Sequence, residues 1–408
     1  MNPKLERIYP WIVVALLMVV AFLNYLDRQM LSTMQAAIGT DIAELRQAQN
    51  FGRLMAVFLW VYALVSPFAG SIADRLSRKW LIVGSLAVWS AVTLLMGHCQ
   101  TFSQMYWLRS LMGVSEALYI PSALSLIADY HAGKSRSLAV GLHMTGLYLG
   151  QAVGGFGAIF ADALSWRMTF QWFGIIGVLY AAVLAFFLQE KRADTPAQTA
   201  VEKVETTSIL KSFGLIFSNI AFWVILFFFA SSSLPRWATK NWLPTLFAGH
   251  MDGDMSVAGP VATITIAVAS FIGVMVGGPL SDRWVRKNLK GRVYTSAIGL
   301  AMMIPALVLM GLGKGLVPAV ASGLIFGLGY GMFDTNNMPI LCQFVPSRLR
   351  ATAYGFMNMV GVAMGALCTQ LLGRIPNLGL SFAVLGGVTA LALVLQLTLL
   401  HPRTDDMK

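Results

Sequence analysis

The residues best suited to chemistry are charged side chains that stand inside apolar stretches of sequence. Asp27 and Arg28 lie side by side at the end of one such stretch, 11–23. Consecutive residues of a helix point about 100° apart, so we expect the two side chains to contact different partners. A guanidinium offers a planar fork of donors that suits an anion. We therefore predict that Arg28 binds an anionic group of a substrate and that Asp27 takes up a proton. The alternative is that both extend polar heads to a membrane interface.

A second charged group has helical spacing. Arg109, Gly113 and Glu116 recur at i, i+4 and i+7, which places them on one face of a helix. Glu116 lies near the middle of its apolar stretch, where a carboxylate is costly and usually functional. We predict that Glu116 takes part in proton coupling together with Arg109. The alternative is a fixed buried salt bridge with Arg109 or Arg28.

Polar residues also occur in the glycine-rich segment 141–151. His143 shares a helix face with Gly146 and Gly150, a pattern that suits close helix packing in lipid. His143 is a candidate proton relay, and the alternative is a histidine that is hydrogen-bonded within the helix bundle. Tyr148 and Gln151 are candidate ligands for the hydroxyl groups of a substrate.

The second half of the chain carries its own polar candidates. They are Arg236, Lys240, Asp334, Asn336, Asn337 and Asn358. Arg236 and Lys240 lie one helical turn apart. They either face a substrate or lie at the outer interface of the membrane. Amides often bridge neighbouring membrane helices, so the three asparagines are candidates for substrate binding or for helix packing.

The composition places these residues in a membrane. The 408 residues are 57% hydrophobic and 12% charged, with a mean hydropathy of +0.69, which excludes an ordinary soluble domain. A spanning helix needs about 20 apolar residues, and twelve stretches qualify. They are 10–32, 52–73, 80–98, 105–128, 137–160, 168–188, 219–247, 256–281, 293–311, 316–344, 351–373 and 378–400. The first keeps polar residues and no cleavage site, so we expect a retained helix.

The distribution of charge predicts the topology. Most of the 29 lysines and arginines fall in alternate loops, which indicates that both termini are cytoplasmic and argues against nucleic-acid binding despite the net charge of +11. The three cysteines and five histidines are scattered and predict neither a disulfide framework nor a metal site. Because no motif of a hydrolase or metalloprotease occurs, we expect a protein that is not an enzyme and needs no cofactor.

An internal repeat divides the chain. Gly70-x-x-x-Asp74-Arg75-x-x-Arg78-Lys79 follows the second stretch, and Gly278-x-x-x-Asp282-Arg283-x-x-Arg286-Lys287 follows the eighth at one constant offset. A polar connection, 189–212, lies between the halves. We predict an all-α membrane protein with twelve transmembrane helices in two pseudo-symmetric six-helix bundles. The N-terminal bundle is 1–188, the cytoplasmic linker is 189–212, and the C-terminal bundle with a short cytoplasmic tail is 213–408. Asp74, Arg75, Asp282 and Arg283 are predicted to gate, with each aspartate facing a helix N-terminus of the other half.

These loops resemble the signature of the major facilitator superfamily, with Ser77 and Val285 where a glycine is usual. Within it the chain resembles the anion:cation symporter family. That resemblance rests on Tyr25-Leu26-Asp27-Arg28, Tyr62, Arg109-x-x-x-Gly113-x-x-Glu116-Ala117, Trp166-Arg167 with Phe170, Trp242-Leu243-Pro244 and Gly355-x-x-Asn358-x-x-Gly361. It implies that Arg28 binds a substrate carboxylate and that Asp27 and Glu116 are protonated in coupling, modulated by Arg109. It also implies that Tyr25, Tyr62 and Asn358 line the cavity.

A second resemblance keeps the substrate class open. The segment 286–292, the first-span motif 24–28 and the loop 346–350 are also similar to spinster-type transporters, which implies lysolipid or sphingolipid transport. Our prediction is a proton-coupled symporter of a small organic anion such as a sugar acid. We expect it to work by alternating access, as a monomer in a bacterial inner membrane, with the proton motive force as its energy source.

Overall fold

The computed structural model describes residues 3–131, 135–190, 218, 220–345 and 350–401, without the side chains of 3–7, 70, 71, 74, 75, 137, 221 and 351. No β-strand occurs in these ranges. The helices are α1 Pro3–Thr33, α2 Gln35–Asp41, α3 Ala48–Arg75, α4 Arg78–Met96, α5 Phe102–Ala117, α6 Tyr119–Tyr130, α7 Arg136–Gly154, α8 Gly157–Leu164, α9 Trp166–Phe187, α10 Ile220–His250, α11 Met255–Val285, α12 Gly291–Leu312, α13 Leu316–Asp334, α14 Asn337–Phe344, α15 Arg350–Leu372 and α16 Leu378–Leu399, with a 3₁₀ turn at Ala43–Arg46.

The helices account for the twelve predicted spans. Ten are long and apolar enough to cross a membrane, and the bent pair Leu138–Gly154 and Gly157–Leu164 makes an eleventh. The remaining long helix, α10, has 31 residues and carries the polar segment around Arg236 and Lys240. The all-α, twelve-span fold class is therefore confirmed. The predicted linker falls largely on residues outside the described ranges, so the domain boundaries stay predictions.

Three predicted spans are broken helices. The stretch 105–128 breaks at Leu118, and 316–344 breaks between Asp334 and Asn337. Pro121 and Pro339 follow these breaks by a few residues, and a proline displaces the helical carbonyl four residues before it. The stretch 137–160 bends by 52° between α7 and α8, at a pair of glycines where kinks are common.

Glycines let the helices of the first half pack closely. A Cβ at Gly146 or Gly150 of α7 would overlap the carbonyl oxygens of Met18 and Phe22 on α1. Close approach of this kind holds membrane helices together through van der Waals contact. The packing fixes the rotation of α1, and with it the directions in which Asp27 and Arg28 point.

The two halves meet mainly at one end of the bundle. We call the end where α1 begins the near end and the end where α1 ends the far end. At the far end the Nε2 of Gln29 donates to the carbonyl of Lys240 at 2.9 Å, and the Oγ1 of Thr263 donates to the carbonyl of Ala152 at 3.1 Å.

Another far-end contact brings the backbones of α3 and α15 together. A Cβ at Gly52 would lie 3.1 Å from both the carbonyl oxygen of Thr369 and the ring of Trp242. Asn358 and Ser66 form another hydrogen bond between the halves, at 3.1 Å. Among the described side chains, no other hydrogen bond between the halves lies closer to the near end. The bundle is thus closed at its far end.

Candidate substrate and proton site

Arg28 and Glu116 form an ion pair between α1 and α5. The Nε of Arg28 donates to the Oε2 of Glu116 at 2.5 Å, and the side chain of Glu116 is completely buried while that of Arg28 is 13% exposed. The guanidinium carbon lies 5.2, 4.8 and 5.0 Å from the ring centres of Tyr25, Phe58 and Tyr62. Among the described residues the buried Nη2 of Arg28 has no hydrogen-bond partner. The guanidinium therefore keeps one unsatisfied donor.

Asp27 points to a different neighbour. It is buried and accepts a hydrogen bond from the Oγ1 of Thr93 on α4 at 3.2 Å. Within the described part of the chain, no lysine, arginine or histidine nitrogen lies within 4.0 Å of its carboxylate. The expectation that Asp27 and Arg28 contact different partners is confirmed, and both face the protein interior rather than a membrane interface.

Arg109 is a buried cation, and no described carboxylate oxygen lies within 4.0 Å of its nitrogens. It is 2% exposed, its guanidinium carbon lies 4.8 Å from the ring centre of Phe58, and its Nη1 donates to the sulfur of Met112 at 3.0 Å. Gly113 permits this packing, because a Cβ there would lie 2.7 Å from the carbonyl oxygen of Phe58 on α3. Arg109 and Glu116 thus share a helix face as predicted, but Glu116 pairs with Arg28 instead of Arg109.

The second half contributes two cations to the same region. The Nζ of Lys240 lies 4.6 Å from the ring centre of Tyr25 and 5.2 Å from that of Trp237. The guanidinium carbon of Arg236 lies 5.5 Å from the ring centre of Tyr330. The interpretation of Arg236 and Lys240 as outer-interface residues is therefore wrong. Tyr330 and Trp237 were missed, because an aromatic residue in an apolar helix gives no signal that separates a site from a lipid-facing surface.

Comparison with known proteins identifies the family. The family model described as Major Facilitator Superfamily matches residues 17–369. The chain belongs to this superfamily. It is 25% identical over 414 residues to the Hexuronate transporter of Bacillus subtilis (strain 168), covering 96% of this chain and 94% of that protein. It is 26% identical over 399 residues to Protein spinster homolog 1 of Bos taurus, covering 90% of this chain and 73% of that protein.

A solved structure supports the same assignment of the fold. A bacterial homolog to the human lysosomal transporter Spinster, in an inward-facing and occupied conformation, matches with a TM-score of 0.79 at 19% identity, covering 98% of each chain. The predictions of a major facilitator protein embedded in the membrane are confirmed. Because the matched proteins are transporters, the prediction that the chain is not an enzyme is confirmed as well.

His143 lies apart from the charged cluster of this transporter. It is fully buried, and its Nε2 lies 2.9 Å from the hydroxyl of Tyr119, which donates to the carbonyl of Leu17 at 2.8 Å. The hydroxyl has one proton, so the imidazole Nε2 must carry the hydrogen between them. Over the described residues His143 forms no hydrogen bond with Asp27 or Glu116. The geometry favours packing within the bundle over a proton relay.

The predicted polar ligands divide into two groups. Asn336 donates to the carbonyl of Met332 at 2.8 Å and Asn337 donates to the Oδ1 of Asp334 at 3.2 Å, so both serve the break between α13 and α14. Asn358 instead donates a hydrogen bond to Ser66 of the first half, which lies next to the helical turn that carries Tyr62. Asn336 and Asn337 are almost fully buried, and their hydrogen bonds argue against direct contact with a solute.

The remaining candidates in the first half lie on α7 at the interface with α11. The ring of Tyr148 is 6.2 Å from that of Phe271 on α11, and Tyr148 lies close enough to Tyr25 and Arg236 to interact with them electrostatically. Gln151 is 6% exposed. Tyr148 therefore belongs to the central region, and Gln151 lies one turn further towards the far end.

Among the predicted gating residues, one ion pair is described. The Oδ1 of Asp282 lies 3.6 Å from the Nη2 of Arg292, with 66% of the aspartate side chain exposed. Arg292 belongs to α12 of the same half, so Asp282 does not form the predicted contact with the other half in this conformation. Arg283 is exposed. The side chains of Asp74 and Arg75 lie outside the described residues, and their gating roles stay predictions.

Proposed function

We propose that this protein is a proton-coupled symporter of a small organic anion of the sugar-acid class. One observation carries the proposal: Arg28 and Lys240, from the two halves, both contact the ring of Tyr25, and Arg236 contacts the ring of Tyr330. Within the described ranges Arg236 and Lys240 have no carboxylate oxygen within 4.0 Å. Unpaired cations in a membrane span are costly, and an anionic solute offsets that cost. The named relative that transports hexuronate supports the same class.

Binding begins at the free side of Arg28. A substrate carboxylate accepts from the unsatisfied Nη2 and then draws the guanidinium away from Glu116, because the planar fork suits a bidentate carboxylate. The rings of Tyr25 and Tyr62, which already contact the guanidinium, present faces and hydroxyl groups to the carbon chain of a sugar acid. Asn358 and Tyr148 add polar contacts from the interface between the halves.

Coupling follows from competition for Arg28. An anion that takes over the guanidinium leaves Glu116 without the one ion-pair partner it has among the described residues, and an unpaired charge at a fully buried position is unfavourable. Uptake of a proton by Glu116 removes this charge. Substrate binding and proton binding therefore favour each other, which is the thermodynamic requirement for symport. Asp27, buried with no cation of the described ranges within 4.0 Å, is the second proton acceptor.

Alternating access requires the far-end contacts to open. The hydrogen bonds of Gln29 with Lys240 and of Thr263 with Ala152 join the halves at the far end, so they must break when that end opens. Lys240 lies beside both the proposed ligand site and this closure, so occupancy of the site is coupled to the closure. In the orientation we propose, the near end is cytoplasmic, the membrane is a bacterial inner membrane and one chain is the functional unit.

A lipid carrier is the second candidate function. Its support is the similarity to Protein spinster homolog 1 at 26% identity, together with the sequence resemblance of the segment 286–292. A lysophospholipid would place its phosphate among the same cations. The two candidates differ in what must surround the cations, since a lipid also needs an apolar path for its acyl chain.

Transport in proteoliposomes tests the proposal. We expect purified protein to accumulate labelled hexuronate when the proton gradient is directed in the same direction as uptake, and to lose accumulation when the gradient is dissipated. Hexuronate should raise the melting temperature of the protein, and a neutral hexose should not. Stabilisation by lysophospholipid with no response to hexuronate would favour the lipid carrier. Accumulation that does not depend on the gradient would refute proton coupling.

A further inference from the structure

We infer that Asp334 competes with a bound anion for Arg236, and that Asn337 is the positioning residue that keeps Asp334 away from this arginine. This role rests on the proposed function and assigns control of anion affinity in the second half to the break between α13 and α14. Three features point to it: the equivalence of the charged residues in the two halves, the unsatisfied Nε of Arg236, and the hydrogen bond that restrains Asp334.

Arg236 is the equivalent of Arg28 in the internal repeat. It follows Arg28 at the same constant offset that relates the two loop motifs after the second and eighth spans. Both guanidiniums lie against aromatic rings, that of Arg28 at 5.0 Å from the ring centre of Tyr62 and that of Arg236 at 5.5 Å from the ring centre of Tyr330. In transporters built from repeated halves the solute binds where the halves meet. The two arginines therefore occupy corresponding positions in the proposed site.

Asp334 is the equivalent of Glu116. The pattern Gly113-x-x-Glu116-x-x-x-x-Pro121 of the fourth span recurs in the tenth span as Gly331-x-x-Asp334-x-x-x-x-Pro339. Each span breaks between its acid and its proline. A Cβ at either glycine would overlap a backbone carbonyl of a neighbouring helix, α3 in the first half and α11 in the second. Since Glu116 is the ion-pair partner of Arg28, Asp334 is the corresponding partner for Arg236.

The second of these pairs is not formed in this conformation. Glu116 lies 2.5 Å from Arg28, whereas no carboxylate oxygen of the described ranges lies within 4.0 Å of Arg236. Asp334 nevertheless lies close enough to interact electrostatically with Arg236. It shares a face of α13 with Tyr330, which contacts the guanidinium. Because the Nε of Arg236 is buried without a hydrogen-bond partner among the described residues, which is unfavourable, a shift of Asp334 towards it would be stabilising.

A hydrogen bond across the helix break restrains Asp334. The Nδ2 of Asn337 donates to the Oδ1 of Asp334 at 3.2 Å, which ties the acid to its own broken span instead of to α10. The neighbouring Asn336 donates to the carbonyl of Met332 at 2.8 Å. Both asparagines thus stabilise the same break, but over the described residues only Asn337 bonds the acid. Asn337 therefore positions Asp334, and Asn336 does not.

Loss of this hydrogen bond would transfer Arg236 from the anion to Asp334. A guanidinium binds a carboxylate best through two parallel hydrogen bonds, so an anion and Asp334 cannot both hold Arg236 in this way. Asp334 is the last residue of α13, and Asn337 is the first residue of α14. A movement of α14 against α13 during the transport cycle would therefore release the acid towards Arg236 and lower the affinity for the anion.

Calorimetry with glucuronate as the probe tests the inference. Asn337→Ala should raise the dissociation constant about fivefold, because the freed Asp334 competes for Arg236. Asn336→Ala disturbs the same break and is the matched control, with an expected change of less than about twofold. Asn337→Ala combined with Asp334→Asn should bind as tightly as Asp334→Asn alone, since the competitor is gone. If Asn337→Ala does not fold, Asn337→Leu, which keeps the volume of the side chain, takes its place.

The ion pair is also measured without any ligand. Melting temperatures of Arg236→Gln, Asp334→Asn and the double variant give the coupling between the two residues. We expect this coupling to be larger when Asn337 is replaced by alanine than when Asn337 is present.

The outcomes separate this inference from the proposed function. An unchanged affinity in Asn337→Ala, a loss of affinity that persists with Asp334→Asn, or a coupling that does not depend on Asn337 would overturn the competition and leave an organic-anion symporter. If no variant binds glucuronate and the coupling still grows in Asn337→Ala, the proposed substrate class is wrong and the pairing of Asp334 with Arg236 stands. Absence of both binding and coupling would overturn both.

Discussion

Replacing Glu116 by glutamine tests the coupling step directly. The glutamine keeps the shape of the side chain and an oxygen that accepts from Arg28, but it removes the charge. Breaking a buried ion pair costs about 3–5 kcal/mol when the remaining charge is left alone. Arg28 keeps its contacts with Tyr25, Phe58 and Tyr62 and a hydrogen bond to the glutamine oxygen, so it is not left alone. We therefore expect Glu116→Gln to lose less than about 3–5 kcal/mol of stability and to fold.

The same substitution should tighten anion binding. In the wild-type protein a substrate competes with Glu116 for Arg28, and a hydrogen bond to a charged group is worth about 1 kcal/mol more than a neutral one. Removing this competitor should lower the dissociation constant about fivefold. In the wild type the dissociation constant should rise with pH, because a proton binds together with the substrate. In Glu116→Gln this pH dependence should be weaker, with only Asp27 left to contribute.

Two transport assays on purified Glu116→Gln distinguish a role of Glu116 in proton coupling from a structural salt bridge. Uptake driven by a proton gradient should fail in Glu116→Gln, because the variant carries no proton at this position to release. Exchange of labelled for unlabelled substrate should continue, because it needs no net proton movement. Glu44→Gln, at an exposed acid of the far-end 3₁₀ turn, is the control and should behave as wild type. Accumulation at the wild-type level would refute the coupling role, and loss of exchange together with folding would show a structural salt bridge.

Three further outcomes are expected. Arg28→Ala should abolish anion binding and Arg28→Lys should retain part of it, because an ammonium cannot reproduce the planar fork; an unchanged dissociation constant in Arg28→Ala would exclude this residue from the site. Gly155→Ala should push the halves apart at the far end, because the new Cβ would overlap Thr263. This overpacking should destabilise the closed far end by about 1–3 kcal/mol and lengthen the distances between spin labels placed on the two halves there. Unchanged distances would contradict closure at the far end. Asp282→Asn should slow transport without changing substrate affinity or melting temperature, since an exposed ion pair contributes about 0–1 kcal/mol to stability. A wild-type transport rate would exclude a gating role for Asp282.

Much of the candidate site was visible in the sequence because buried charge is rare in lipid. Asp27, Arg28, Arg109 and Glu116 stand out on that basis, and helical spacing correctly places Arg109 and Glu116 on one face. Their pairing could not be read in the same way. Arg28 and Glu116 are 88 residues apart in the chain, and the choice of Arg28 over Arg109 as the partner depends on how α1 and α5 are rotated against each other.

The sequence by itself determined that the chain spans a membrane, that it contains two related halves, and that charge lies inside the spans. Hydropathy, loop charge and repeats are local properties, so they can be read without contacts. The tertiary structure alone decided that Lys240 reaches Tyr25 from the other half, that Asn336 donates to the preceding helix α13 and that His143 turns to Tyr119. The physical reason is that packing sets the rotation of each helix about its axis, and that rotation determines which side chains meet.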